Sequence, residues 1–310
     1  MQVSGFDMKL SVAMITYNHE MYISQALESI LAQKVDFDYE IVIGEDCSTD
    51  STRAIVKDYR QKYPDIIRLH LPDTNSGMMC NFMRTFNSCS GEYIALLEGD
   101  DYWTDPFKLQ KQVDFLDKNL DFTVCHHNVV VKNEDYPERN RRQNGAETPE
   151  ISGLDDLLTK GNFLATASVI IRANAIGEIP DWFIGLPFGD YPLYLLASQF
   201  GKIRYLTDIM GVYRIHKGGV HGHLTNSPDT LTTAYELHFE FWRKIAITGL
   251  FEADKLTFPI LESLQNVINN AAKAKLTKVF LKYNFLFLRY AGIKESKKVT
   301  RQIIQYCKAN

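Results

Sequence analysis

The chain has 310 residues, 45% hydrophobic and 23% charged, with 18 glycines and 10 prolines. That composition excludes disordered, collagen-like and low-complexity classes and fits one large domain or two unequal ones. Lys plus Arg number 34 against 38 Asp plus Glu, a net charge of −4, which argues against nucleic acid as a partner.

The pattern from 10 to 16 (LSVAMIT), followed by Ile23, Ala26, Leu27, Ile30 and Leu31 at helical spacing, predicts a βα unit. The run 39–45 (YEIVIGE) and the turn DCSTDST repeat it, with Asp50 or Ser51 capping a helix that stops before Pro64. Residues 66–71 predict a third strand, a helix follows around 81–88, and 92–97 predicts a fourth strand ending at Glu98-Gly99-Asp100-Asp101. This alternation predicts an α/β fold with a doubly wound, mainly parallel sheet flanked by helices.

Further on, Asp105-Pro106 predicts the start of a helix running through Asn119. Strands are expected at 121–131 and 165–172 around a polar loop, 133–150. A helix over 187–200 carries Asp190 near its start, and 202–206 with 209–215 reads as a strand pair. From about Leu231 the pattern is helical only, so an all-helical extension is expected over 226–310, behind a main domain of 1–225. Its end is basic: ten Lys and Arg between 273 and 308 are opposed only by Glu295, so the tail carries +9 and the remainder −13.

The cysteines at 47, 80, 89, 125 and 307 form no Cys-x-x-Cys pair and point to a reducing compartment. The opening MQVSGFDMKL lacks a signal-peptide pattern and no run approaches the ~18 apolar residues of a membrane span, so a cytoplasmic location is expected.

In open sheets of this kind ligands sit beyond the carboxyl ends of the strands. Here those ends read Thr16-Tyr17-Asn18, Glu45-Asp46 and Glu98-Gly99-Asp100-Asp101. Carboxylates clustered at one edge repel one another unless a cation or hydrogen-bond donors are present, and hard oxygen ligands suit magnesium or manganese. The alternative is that Asp100 and Asp101 only end a strand and cap a helix. No G-x-G-x-x-G or G-x-x-x-x-G-K-[ST] loop is present, which argues against a dinucleotide oxidoreductase and a P-loop NTPase.

Taken together, LSVAMITYNHEMYISQALESILAQ, YEIVIGEDCSTDST and GEYIALLEGDDYW resemble, in order and separation, the family 2 glycosyltransferases, over about residues 8–216. The resemblance implies a GT-A fold and inverting sugar transfer from a nucleotide diphosphate donor. It makes 1–225 the catalytic domain, with 8–105 the nucleotide-binding half and 106–225 the acceptor-binding half. Thr16, Tyr17 and Asn18 stand where the family touches the nucleoside, and Asp46 where a carboxylate accepts the uracil N3–H. A carboxylate accepts only, so it rejects cytosine N3, another acceptor. Asn75, Gly77 and Asn81 fall where the family lines the nucleotide. The Asp-x-Asp motif appears as Glu98-Gly99-Asp100, so Asp100 and then Asp101 are the implied metal contacts, with Glu98 reaching ribose or a metal-bound water.

Asp190 stands at the position of the family's general base, with Gly189 where many relatives have a second acid. The helix start beside it favours ionisation; the alternative is a plain N-cap. In Tyr213-Arg214-Ile215-His216, Arg214 and His216 stand where the family approaches the diphosphate or the metal. The implied partners are a UDP-sugar, Mn2+ or Mg2+, and a saccharide or lipid-linked saccharide acceptor in cell-surface polysaccharide synthesis. A nucleotidyltransferase would need a glycine-rich basic loop near the amino terminus, which is missing. A silent sugar-nucleotide-binding protein need not keep Asp46, Asp100, Asp101 and Asp190 together.

Four features stand outside the resemblance. His126 and His127 alternate on a strand, one to each face, and read as core or surface residues. His221 and His223 follow His216 in a glycine-bearing loop without a fourth zinc ligand, and a lid over the donor is the better reading. Tyr102, Trp103, Trp182 and Phe183 either stack on sugars or pack the core. Over 276–293, Leu276, Val279, Phe280, Tyr283, Leu286, Phe287 and Tyr290 form one stripe and Lys275, Lys278, Lys282 and Arg289 another. That helix either lies on the inner membrane face through 273–308 or packs on protein.

Overall fold

The computed structural model describes residues 8–219 and 227–291, together with 303 and 306. His221, His223 and much of the basic tail beyond 291 lie outside the described residues. The chain divides into two units, Met1–Ile215 and His216–Asn310.

The first unit opens with three βα repeats: β1 (Met8–Thr16), α1 (Ile23–Leu31), β2 (Tyr39–Glu45), α2 (Thr52–Lys62), β3 (Ile67–His70) and α3 (Met78–Asn87), closed by β4 (Gly91–Glu98). β1 buries Leu10 through Met14 without interruption, the pattern of a strand covered on both faces. These strands pair in parallel in the order β3-β2-β1-β4. One face carries α1, α2 and α4 (Lys108–Lys118), whose Leu27, Ile30, Val56, Leu109 and Val113 share a core with Val12, Ile41 and Ala95. The opposite face takes α3. Gly44 makes that possible, because a Cβ there would stand 2.0 Å from Thr85 Oγ1.

After β4 come β5 (Tyr102–Trp103), β6 (Phe122–Asn133), β7 (Arg141–Arg142), β8 (Ile151–Ser152), α5 (Leu154–Lys160), β9 (Ile170–Arg172), α6 (Asp190–Ala197) and β10 (Lys202–Ile215). The sheet continues β4-β9-β6-β10-β5, with β7 on β6 and β8 on β10. β9 runs antiparallel to both β4 and β6, while β6 and β10 are parallel, so the sheet is mixed and its long strands share one direction.

Several boundaries differ from the sequence pattern. The expected pair at 202–215 is one strand, because β6 offers a ladder long enough to pair its whole length and the polar Thr207-Asp208 is absorbed where the register shifts between Leu206 and Ile209. Residues 166–168 form a 3-10 turn rather than strand, their carbonyls taken by Trp103 Nε1 at Ala167 and Gln112 Nε2 at Ser168. α4 starts at Lys108, since Asp105 Oδ1 first accepts the Phe107 N–H in a turn. α6 is shorter than expected, beginning at Asp190 itself.

The described part of the second unit is helical: α7 (Pro228–Thr248), α8 (Ala253–Lys273) and α9 (Thr277–Ala291). Ser227 and Thr230 close a reciprocal cap before Pro228, and Gly249 ends α7 at φ +68°. The α9 stripe is used internally: Phe239 meets Tyr283 and Tyr290 edge-on, and Phe280 stacks on Tyr306 at 4.2 Å. What α9 leaves exposed is a neighbouring stripe, Lys278, Leu281, Lys282, Phe285 and Arg289, with Phe285 72% exposed. No described helix is long and apolar enough to cross a membrane.

Candidate active site

β1, β2 and β4 end side by side, Ile15 opposite Gly44 and Glu98, so parallel pairing gathers three loops at one edge. In the first loop Thr16 is buried, Tyr17 is exposed, and Asn18 takes φ +56°, a left-handed conformation asparagine tolerates. Asn18 Oδ1 accepts from Thr49 N at 2.9 Å and its N–H donates to Ser48 Oγ at 2.9 Å, tying the first loop to the second. Glu45, fully buried, accepts from Ser48 N and pairs with Arg53.

Asp46 is 2% exposed, and its carboxylate accepts from Ser76 N at 2.9 Å, Ser76 Oγ at 2.7 Å and Gly77 N at 2.8 Å. Asn75 Nδ2 donates to the Asp46 carbonyl. Asp46 therefore builds the 75–77 loop, a role its sequence position did not announce. Asn81 is also placed differently from the expectation. It lies on α3, 2% exposed, and donates to Gly44 O at 2.8 Å, so it joins α3 to β2 beneath the site instead of lining it.

At the end of β4, one carboxylate oxygen each from Glu98, Asp100 and Asp101 lie within 4.8 Å of one another. Burial, reinforced by the charges of Asp100 and Asp190, pushes Glu98 up to about 8. Burial, then Asp100 and Glu98, holds Asp101 well above the carboxylate range despite the Arg214 N–H. Asp101 Oδ1 accepts that N–H at 2.7 Å, whereas Asp101 Oδ2 is buried with no hydrogen-bond partner. A buried acid oxygen without a donor is costly, and a divalent cation would satisfy it and oppose the burial that raises Glu98 and Asp101. The donor set fits a hard cation.

Asp190 opens α6. Burial raises it above the usual range, opposed by the Tyr191 N–H, Thr166 and Asn162, whose side chains donate to Oδ2 at 3.3 and 3.1 Å. Glu98, Asp100, Asp101 and Asp190 all act on Tyr213 of β10, which burial and these four charges push well above the tyrosine range. Tyr213 was legible only as part of the Tyr213–His216 string; its place among the acids comes from β10 reaching the β4 end.

Arg214 is 5% exposed and lies between the Tyr22 and Tyr102 rings, 5.0 and 4.4 Å from their centroids. Its guanidinium donates to Glu134 Oε1, the Asp100 carbonyl and Gln25 Oε1, so it clamps the acidic turn. His216 follows directly as the first residue of the second unit. Trp103 is 4% exposed and donates to Ala167 O, which makes it a core residue and removes it as a sugar platform. Trp182 is half-buried beside Phe183 in a short turn. His126 and His127 are both core: His126 stacks on Tyr205 at 4.9 Å and His127 Nδ1 lies 2.8 Å from Asn128 O.

The family model for glycosyl transferase family 2 matches residues 11–179. An uncharacterized protein of Mycobacterium tuberculosis is 39% identical over 216 residues, 68% of this chain and 60% of that protein, so the match spans about three fifths of that relative. A putative teichuronic acid biosynthesis glycosyltransferase of Bacillus subtilis, TuaG, is 28% identical over 171 residues, 55% of this chain and 64% of TuaG. Among solved structures, Staphylococcus aureus TarS 1-349 in complex with UDP-GlcNAc matches with a TM-score of 0.64 at 22% identity, covering 92% of this chain and 82% of TarS. With its three strand-end loops in place and over half its length matched by the family model, the chain belongs to glycosyl transferase family 2.

Proposed function

We propose that this protein is an inverting, metal-dependent glycosyltransferase that moves a sugar from a UDP-sugar to an acceptor hydroxyl. The observation that carries the reading is the convergence of Glu98, Asp100, Asp101 and Asp190 beyond the carboxyl ends of the strands, with one Asp101 oxygen buried and unsatisfied. Asp100, Asp101 and His216 are the residues assigned to hold Mn2+ or Mg2+. When bound, the cation neutralises the leaving diphosphate as a Lewis acid.

Thr16, Tyr17, Asn18, Asp46 and the 75–77 loop that Asp46 holds are assigned to the nucleoside, where the TarS complex with UDP-GlcNAc supports a uridine donor. Arg214 fixes the Asp100 carbonyl and keeps the acidic turn in one geometry. Asp190 takes the proton of the acceptor hydroxyl as its oxygen attacks the anomeric carbon; Asn162 and Thr166 orient its Oδ2. TuaG supports a polysaccharide product, with a saccharide or lipid-linked saccharide as acceptor. The four thiols among the described residues suit the cytoplasm, and the exposed Leu281–Phe285 face of α9 suits peripheral contact with its membrane.

Calorimetry with UDP, GDP and CDP, with and without Mn2+ or Mg2+, tests the reading. UDP should bind best and more tightly with metal. A clear preference for GDP overturns the uridine assignment, and indifference to metal overturns the role of Asp100 and Asp101. A nucleotide-sugar panel then identifies the donor.

A further inference from the structure

We infer that His19, in the loop after β1, is a nitrogen ligand of the cation site and biases it toward Mn2+ over Mg2+. The inference rests on the metal-dependent reading above and adds a residue to it. His19 Nδ1 lies 3.2 Å from Thr16 Oγ1 and Nε2 lies 3.7 Å from Asp100 Oδ2. The second separation is too long for a good hydrogen bond. It is close to the spacing of two ligands on one ion, since ligand distances of about 2.1 Å put neighbouring donors roughly 3 Å apart.

Thr16 supplies the orientation. With hydrogen on Nδ1, the ring donates to Thr16 Oγ1 and presents the Nε2 lone pair toward Asp100, the arrangement in which metal-binding histidines are usually held. Thr16 is 2% exposed, so this contact is fixed by the fold. Gly99 supplies the approach. A Cβ on Gly99 would stand 2.5 Å from Thr16 Oγ1 and 3.0 Å from His19 Nδ1, so any larger residue between Glu98 and Asp100 would drive the β1 loop off the acidic turn.

An independent mark of a ligand at the same turn is Asp101 Oδ2, buried in a residue 1% exposed and without a hydrogen-bond partner. An all-carboxylate site suits Mg2+ and Mn2+ alike, whereas an imidazole ligand favours the transition metal. The Thr16-x-x-His19 spacing and Gly99 thus form one device, in which the β1 loop delivers a nitrogen to a carboxylate turn more than 80 residues away.

Mn2+ titration followed by the electron paramagnetic resonance of the free ion, with Mg2+ as competitor, tests this on the full chain. His19→Ala should weaken Mn2+ about ten- to a hundredfold, with Mg2+ affinity changed far less. Thr16→Val should weaken Mn2+ in the same direction by a smaller factor. Far-ultraviolet circular dichroism and thermal unfolding of the metal-free protein serve as the check that each variant is folded.

Pulsed resonance of bound Mn2+ in a His216→Ala background should retain a 14N coupling that His19→Ala abolishes. An unchanged Mn2+ to Mg2+ ratio in folded His19→Ala, or no 14N coupling in the His216→Ala background, overturns the His19 assignment and leaves the metal site standing. Failure of the wild-type chain to bind any divalent cation overturns both.

Discussion

The backbone N–H of Arg214 donates to Asp101 Oδ1 at 2.7 Å, joining residues that are 113 positions apart. It divides the labour within one carboxylate: Oδ1 fastens the end of β10 to the acidic turn, and the buried Oδ2 has no protein partner. Asp101→Asn keeps an acceptor oxygen, so it should fold normally and lose metal-strengthened UDP binding. Asp101→Ala should lose that binding and also about 1–3 kcal/mol of stability, because the Arg214 N–H is left buried and unpaired. Thermal unfolding alongside Mn2+ titration separates the two effects; equal stability of both variants would contradict the structural half.

Asp190→Asn should leave UDP-sugar affinity nearly intact and reduce turnover by about a hundredfold or more. Burial raises Asp190, so the acid limb of turnover should lie above the ordinary aspartate range. Thr166 and Asn162 donate to its ionised form, so Thr166→Val should raise it further and move that limb to higher pH. Turnover measured from pH 4 to 9 at saturating donor checks the direction, and a limb that moves to lower pH in Thr166→Val is the contrary result.

His126 is fully buried, neither ring nitrogen has a hydrogen-bond partner, and burial lowers it to about 3. In the unfolded chain it titrates near ~6.5. The unfolded state therefore takes up the proton first, and the stability present above ~6.5 is lost as pH falls toward 3. Raised acids such as Glu98 and Asp101 act in the opposite sense, which makes the difference between variants the informative quantity. His126→Phe keeps the stacking on Tyr205 and should flatten the loss between pH 7.5 and 5.5 by about 1 kcal/mol in urea unfolding. Parallel curves for the two proteins would show that His126 is not the titrating group.

The exposed stripe of α9 pairs Leu281 and Phe285 with Lys278, Lys282 and Arg289. Near an anionic surface each basic side chain contributes on the order of 1 kcal/mol, screened by salt. The protein should therefore sediment with anionic liposomes at low salt, release at high salt and ignore neutral liposomes. Phe285→Glu combined with Lys282→Glu should abolish sedimentation without unfolding α9, since neither side chain is buried. No binding at low salt would leave α9 as a helix packed only on protein.

Hydrophobic periodicity made the β1 to β4 repeats readable, and parallel strand order then placed Asp46, Asp100 and Asp101 at one edge, because where a strand ends is a local property. The doubly wound first half and the acidic turn were legible for that reason, and so was a helix carrying Asp190 near its start, though not that the helix begins at Asp190 itself. What a side chain faces across the fold is not local. Asn81 turned inward because Gly44 lets α3 approach β2; Trp103 was buried because Ala167 offers its indole an acceptor. The two strand segments at 202–215 became one strand because β6 pairs with their whole length, and that strand carries Tyr213 and Arg214 to the acids. The apolar stripe of α9 went to Phe239 and Tyr306, leaving Phe285 outside. His19 met Asp100 only through the close approach that Gly99 permits. Each of these depends on a partner tens to more than a hundred residues away, and local pattern holds no information about which partner burial will select.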